Sequence, residues 1–481
     1  MSIDQHVVPV AGHDRLLAAA RPGPDRAVVL PLHALVLITG LAAVIVRQGA
    51  YHTSGQRIGV VVLALAVALA LWKEPRIWRD GTLAVLPVCV ALAGWAVLSA
   101  RLAGNTASAW STVGLLAGVV AVIMVCRRVP PAQRDALAGA AVALGVLVAA
   151  SGWIGVAWRH VPWALQDRAL WRAATTLTYA NAGAGLLVPL TVVALAQRTV
   201  RPRAALPALA SCMLLVGLGA TLSRGGAVAL VVGLVVLAWL LGWAAVAQAL
   251  AAPALGALVA LAGLAPSMPA SAAPRPALAV VALLAGLAVA AGLPLLGLRL
   301  GRRGAVAALL GALLVVALLV PSALAVGVPQ TVAHFRLSFT SSDRVQAAKA
   351  ALRVAAARPL TGAGPDRALL FWKAANARTL VIQYAHNEYL QELAELGAVG
   401  LALLLLLLAL AARMVWHGQQ VAGSRATWAG VVAALVALAL HSGFDFLWHL
   451  PAIPLVGALL IGITALPVSE KGGRPRQAAH S

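Results

Sequence analysis

Residues 384–413, "YAHNEYLQELAELGAVGLALLLLLLALAAR", pass without a break from polar and ionisable side chains into an apolar run long enough to cross a bilayer. About 20 apolar residues span the hydrocarbon of a membrane as a helix. The same kind of block recurs along all 481 residues, of which 62% are hydrophobic and 10% charged, with a mean hydropathy of +0.93. Soluble domains carry roughly 25% charged residues, so this chain cannot cover a water-facing surface of its own size. Solid apolar runs, unlike the short alternating segments of a β-barrel, predict an all-α polytopic membrane protein.

Hydropathy places about fourteen helices, near 28–46, 58–72, 82–100, 110–126, 136–157, 180–197, 204–221, 226–246, 250–265, 277–297, 305–326, 394–412, 427–444 and 448–466. The block 226–265 also reads as one long, bent helix. The chain divides into an N-terminal tail (1–27), a helical bundle (28–326), one large loop (327–393), C-terminal helices (394–466) and a basic tail (467–481). With the N-terminus in the cytoplasm, twenty of the 36 Lys and Arg fall on inner segments, five on the short outer loops, and eleven on two longer outer segments, 158–179 and 327–393, so the bias holds over the short loops. This bias fixes orientation, with both termini cytoplasmic. The formal charge of +22 therefore reports topology and contact with membrane lipids, not nucleic acid. Cys89, Cys126 and Cys212 all sit in apolar blocks and read as packing residues. The Ala/Pro-rich stretch "APSMPASAAPR" (265–275) reads as a disordered insertion.

Polar residues collect on the predicted outer side. In "TLSRGGAVAL" (221–230), Arg224 and two glycines open a helix, where a guanidinium fork and the positive helix end favour an anionic oxygen. The alternative is an arginine that snorkels into headgroups. In "SSDRVQAAKAALRVAAARPL" (341–360), Val345, Ala348, Leu352 and Ala355 form an apolar stripe beside Arg344, Lys349 and Arg353. That pattern predicts an amphipathic lid on the membrane surface, either a phosphate binder or an interfacial anchor. "PLTGAGPDR" lacks the G-x-x-x-x-G-K-[ST] spacing of a nucleotide loop.

On a wheel through 386–395, His386, Tyr389, Leu390 and Leu393 share one face, and Glu388, Gln391, Glu392 and Glu395 the other. The glutamates are expected to face water or the lid. His386 is the general-base candidate, because imidazole titrates near neutrality; the alternative is a buried histidine satisfied by a carbonyl. Asn387 is placed to cap the helix that follows. No H-E-x-x-H or Asp-x-Asp occurs, so no metal site is expected. His441, Asp445 and His449 follow at intervals of four; Asp445 could orient a histidine, bind sugar hydroxyls, or satisfy polar groups between helices.

The ordered set "TYANAGAGLLVPL", "TLSRGGAVALVVGL", "DRVQAAKAALRVAAARPLTGAGP" and "AHNEYLQELAELGAVGLALLL" resembles the bacterial O-antigen ligases and O-antigen polymerases. The resemblance implies an inner-membrane glycosyltransferase, inverting and free of metal or other cofactor. Such an enzyme moves a glycan from an undecaprenyl diphosphate donor to a hydroxyl of a glycan or lipid acceptor. Carried over, Arg224 and Arg344 would hold the donor diphosphate, His386 would assist acceptor attack, and Asn181 and Tyr389 would shape the site. The competing classes are a lipid-linked glycan flippase, which needs ionisable groups deep within its helices, and a non-catalytic assembly subunit.

Overall fold

The computed structural model describes residues 29–72, 85–295, 342–373 and 379–465. The expected helix at 305–326 and both tails lie outside the described residues. Ten described helices are long and apolar enough to cross a membrane, and three shorter apolar helices accompany them. In chain order these are α1 (Leu32–Val46), α2 (Thr53–Trp72), α3 (Val85–Leu102), α4 (Ala109–Arg127), α5 (Arg134–Trp158), α6 (Ala180–Val200), α7 (Ala205–Thr221), α8 (Arg224–Leu241), α9 (Trp243–Leu264) and α10 (Pro276–Leu295). The amphipathic α11 (Ser342–Ala357) follows, then α12 (Glu388–His417), α13 (Arg425–Ser442) and α14 (Ala452–Thr464). Two small antiparallel hairpins complete the fold: β1 (Ala164–Asp167) with β2 (Leu170–Ala173), and β3 (Leu370–Lys373) with β4 (Thr379–Ile382).

The central post is α6, which is buried along nearly its whole length and packs against α5, α7, α8, α9 and α13. Its composition of Ala, Gly, Val and Leu suits a helix surrounded by protein, with no polar face to show to solvent. Helices nearer the rim, such as α2 and α10, leave Val60, Val61, Val281 and Leu284 exposed, as lipid-facing surfaces require. Block 226–265 is two helices, divided at Gly242, whose φ of 94° takes the backbone out of the helical region. Cys89, Cys126 and Cys212 are free and buried.

Residues 265–275 are not a disordered insertion. The Arg159 guanidinium donates to the carbonyls of Ser267, Pro269 and Ala272, and the Arg275 amide donates to Ser267 Oγ. Pro269 also bridges Leu170 of β2. An alanine- and proline-rich stretch offers few polar side chains, so it is its carbonyls that one arginine collects, three of them.

The segment before α12 folds onto a separate small core of Ala347, Ala350, Ala351, Ala368, Leu370, Trp372, Ala385 and Ala394. The face that α11 buries is therefore its alanine face, and Val345 and Leu352 are exposed. Of the expected apolar stripe, Val345 and Leu352 are thus turned outward while Ala355 is buried, because alanines let α11 come close to α12 and β3.

Helix α12 is broken at Gly397 (φ 68°, ψ −169°). The loop Pro359–Gly364 lies across the break: Ala398 N–H donates to Pro359 O, Ala363 N–H to Ala394 O and Gly364 N–H to Glu395 O. A Cβ on Gly397 would lie 2.2 Å from Leu360 O, and one on Gly362 2.2 Å from Glu395 O. Close backbone contact at left-handed positions explains these glycines.

Candidate functional site

The site is built around one carboxylate. Asp445 lies in the turn between α13 and α14 with its side chain 1% exposed, and an uncompensated charge could not remain there. Its Oδ1 accepts from the Tyr179 hydroxyl (2.8 Å) and from its neighbour's amide, Phe446 N–H (2.9 Å), and lies 3.0 Å from His386 Nδ1. Its Oδ2 accepts from Asn181 Nδ2 and, at 3.4 Å, from Arg344 Nη2. Four distant chain segments therefore meet on two oxygens.

The charge state follows from these partners. Burial alone would raise the Asp445 pKa, but the hydrogen bond and charge of His386, with Arg344 and Tyr179, outweigh it and hold the carboxyl below its ordinary value. Tyr179 is pushed well above the usual phenol range, by burial first and by Asp445 second, so it stays a donor. An ionised carboxylate only accepts, so the contact is a donation from His386 Nδ1, and Nε2 is the ring nitrogen it does not use.

Local sequence explains how His386 reaches this place. Asn387 is extended and caps α12, its side chain accepting from Leu390 N–H at 3.0 Å. His386 is therefore outside the helix, with a left-handed φ of 51°. Such a conformation costs a non-glycine residue about 1–3 kcal/mol and is found at functional sites. The ring is about one-third exposed and meets the edge of Phe446 at 5.2 Å between centroids. Phe446 is itself stacked between Tyr179 and Tyr384, at 4.9 Å and 4.3 Å.

The other sequence candidates fall around this centre. Arg224 opens α8, where Ser223 caps by accepting from Gly226 N–H. The next residue, Gly225, abuts His441 and Phe444, immediately before Asp445 in the chain. His441 is buried, and its Nδ1 has no hydrogen-bond partner among the described residues. Tyr389 points away from Asp445 and donates to Ala439 O at 2.8 Å, which anchors α12 to α13.

Two contributors had no role in the sequence reading. Tyr179 lies two residues before Asn181 in the same motif. Arg172, in β2, donates to Asn181 Oδ1 (3.1 Å), to Thr221 O (2.9 Å) and to Asp167 (2.8 Å), so it braces Asn181 against the end of α7. No spacing signal marks it.

Glu388 and Glu395 do not face water as the wheel implied. Both are buried, and with Asp366 they surround His449. His449 Nδ1 lies 3.5 Å from Glu388 Oε2, and Nε2 lies 3.7 Å from Asp366 Oδ1. Ligand atoms of Asp366, Glu395 and His449 lie within 4.8 Å of one another, a spacing that a cation could bridge. The acidic surroundings equally favour a proton: burial alone would lower the His449 pKa, but Glu388, Glu395 and Asp366 raise it to about 10.

A folded-state pKa raised above the usual 6.5 makes His449 stabilising when charged. That contribution should be complete below about pH 6.5 and be lost as pH rises through about 10. A thermal-unfolding series from pH 6 to 10 should show stability falling by up to about 1.4 kcal/mol per pH unit in this window. His449→Gln should flatten the fall; an unchanged slope would show that His449 is not its source.

Comparison with known families adds one finding. Residues 277–405, which include α11, both strands of the second hairpin, His386 and the first half of α12, match the family model described as O-antigen ligase. No curated protein matches the chain.

Proposed function

The match over residues 277–405 supports membership of the O-antigen ligase/polymerase family, and on that premise we propose that this protein transfers a glycan from a polyprenyl diphosphate, of the undecaprenyl type, to an acceptor hydroxyl of a glycan or lipid. On this reading the reaction takes place at the extracytoplasmic face of the bacterial inner membrane, and the positive-inside bias of the short loops supports that side for the Asp445 end of the bundle. The single observation that carries this reading is the convergence of His386, Arg344, Asn181 and Tyr179 on the buried Asp445 carboxylate.

The chemistry follows from that arrangement. The acceptor oxygen attacks the anomeric carbon from the side opposite the diphosphate, and the bond from that carbon to the phosphate oxygen breaks with inversion. The electron pair leaves on the diphosphate, whose growing charge Arg344 and Arg224 neutralise. The acceptor proton passes to Nε2 of His386, while Asp445 holds Nδ1–H and stabilises the resulting imidazolium. A diphosphate is already a good leaving group, so these residues suffice without a nucleotide or a metal ion. Arg344 is 39% exposed on its side chain, so it can leave Asp445 in part to meet an incoming phosphate. The transporter alternative needs ionisable groups near the membrane midplane; this cluster lies at one end of the bundle.

The test is replacement of each arginine by alanine in cells that depend on this protein for their surface polysaccharide. Arg224→Ala and Arg344→Ala should each lower long-chain product by about 10²-fold, the usual scale for losing a transition-state charge partner, while lipid-linked donor accumulates. Unchanged polysaccharide in both variants would reject the site. Full-length polymer left on its lipid carrier would identify a ligase, and loss of chain length a polymerase.

A further inference from the structure

We propose that Asn387 and Glu388, the two residues after His386, clamp the Gly443–His449 turn on either side of Asp445, and that Glu388 is a positioning residue for the His386–Asp445 pair. The proposal rests on the transfer reading above and adds to it the origin of the 3.0 Å contact between His386 and Asp445.

The turn that carries Asp445 joins α13 to α14 and has no regular structure of its own. Its own backbone bonds tie Gly443 and Phe444 back to α13 and Leu450 to Leu447, so side chains from elsewhere are needed to hold the stretch between them. Two attachments do so, and both come from neighbours of His386. Asn387 Nδ2 donates to Gly443 O at 2.9 Å, two residues before Asp445. Glu388 Oε1 accepts from Trp448 N–H, three residues after it. The second Glu388 oxygen faces His449 Nδ1 at 3.5 Å. Each of the two residues also has a place in α12: Asn387 is its cap and Glu388 its first residue, where a negative charge favours the positive helix end.

Glu388 is 3% exposed. A carboxylate at that depth is costly unless it is both hydrogen-bonded and paired, and the partners it has found belong to the Asp445 turn. It touches neither Asp445 nor His386 through its side chain, so it takes no part in proton transfer. What it controls is distance. With His386, Asn387 and Glu388 consecutive and the turn fixed at both ends, acid and imidazole are held in register over a few atoms, in addition to the bonds that Tyr179 and Asn181 make to Asp445. A displacement near 1 Å in such a pair can cost about 10²-fold in rate.

The experiment measures transfer by the full-length protein in liposomes containing lipid-linked donor, for Glu388→Ala, Glu388→Gln, Asn387→Ser, Asp445→Asn and the Glu388→Ala/Asp445→Asn pair. Glu388→Ala should lower kcat by about ten- to a hundredfold with donor KM within about twofold. Glu388→Gln should recover most of the loss, since its amide oxygen still accepts from Trp448 N–H. Asn387→Ser keeps a capping hydroxyl but cannot span to Gly443, and should lower kcat without unfolding the protein, even if Glu388→Ala proves too unstable to assay. In the Asp445→Asn background, Glu388→Ala should add little. Wild-type kcat in both Glu388→Ala and Asn387→Ser, or a full additive loss beside Asp445→Asn, would overturn the clamp. If Asp445→Asn itself transfers normally, the transfer reading fails first; if it does not and the clamp variants do, the clamp alone fails.

Discussion

His386→Ala should reduce glycan transfer by about 10²–10⁴-fold, the range that a positioned general base supplies, while leaving the protein as stable as before. The two halves of this expectation have separate causes. The rate falls because, among the described residues, the two other imidazoles near the Asp445 cluster are shut away from an acceptor: His441 is buried against Gly225, and His449 is enclosed by Glu388 and Asp366. Stability should hold because the wild-type residue is strained, at a φ of 51°, and about one-third exposed. Asp445 would also retain Tyr179, Asn181, Arg344 and the Phe446 amide. His386→Gly sharpens the point, since glycine accepts the left-handed backbone without penalty. It should be as inactive as the alanine variant yet at least as stable as wild type. Transfer assays paired with thermal-unfolding midpoints decide the matter; an inactive variant that is also destabilised by several kcal/mol would assign His386 a structural role.

The membrane helices were legible because long apolar runs need no partner to be read. Every predicted span in the described residues has a counterpart, although the break within 226–265 falls at Gly242 and not between 246 and 250 as hydropathy placed it. The motifs at the site were legible as residue types in order. What could not be read was which side of a short polar helix turns inward. The wheel through 386–395 assumed one continuous helix that included His386, but the Asn387 cap excludes His386 and Gly397 breaks the helix nine residues after Glu388. Burial of the glutamates then depends on His449, more than fifty residues away, whose charge compensates theirs. Similarly, α11 buries small alanines instead of Val345 and Leu352 because what matters is the close approach of α12, a tertiary fact that periodicity does not contain. Arg172 is the hardest case, an ordinary basic residue in a short hairpin whose role appears only when Asn181 and Thr221 are brought beside it.

Replacing Asp445 by asparagine should have the second largest effect, and its dependence on pH separates charge from shape. The substitution keeps the side-chain volume but exchanges one accepting oxygen for an N–H₂ group, which then faces donors from Asn181 and Arg344 or from His386 and Tyr179. One or more buried donors lose their acceptor, at about 1–3 kcal/mol; the half-exposed Arg344 can turn to water, which keeps the total below the cost of breaking a fully buried ion pair. Transfer should fall by about 10²-fold or more, because His386 loses both its orientation and the carboxylate that stabilises its charged form. The pH argument has a definite sign. Partners hold the folded-state pKa of Asp445 below its ordinary value, so the stability it contributes is present above about pH 4 and is lost as pH falls through the lowered folded value. The asparagine variant has no such group. Its melting midpoint should therefore lie below wild type at pH 7, and the gap should close as both proteins are taken toward pH 3. A gap that stayed constant across that range would mean that the shape of the side chain, and not its negative charge, gathers the four segments of the site.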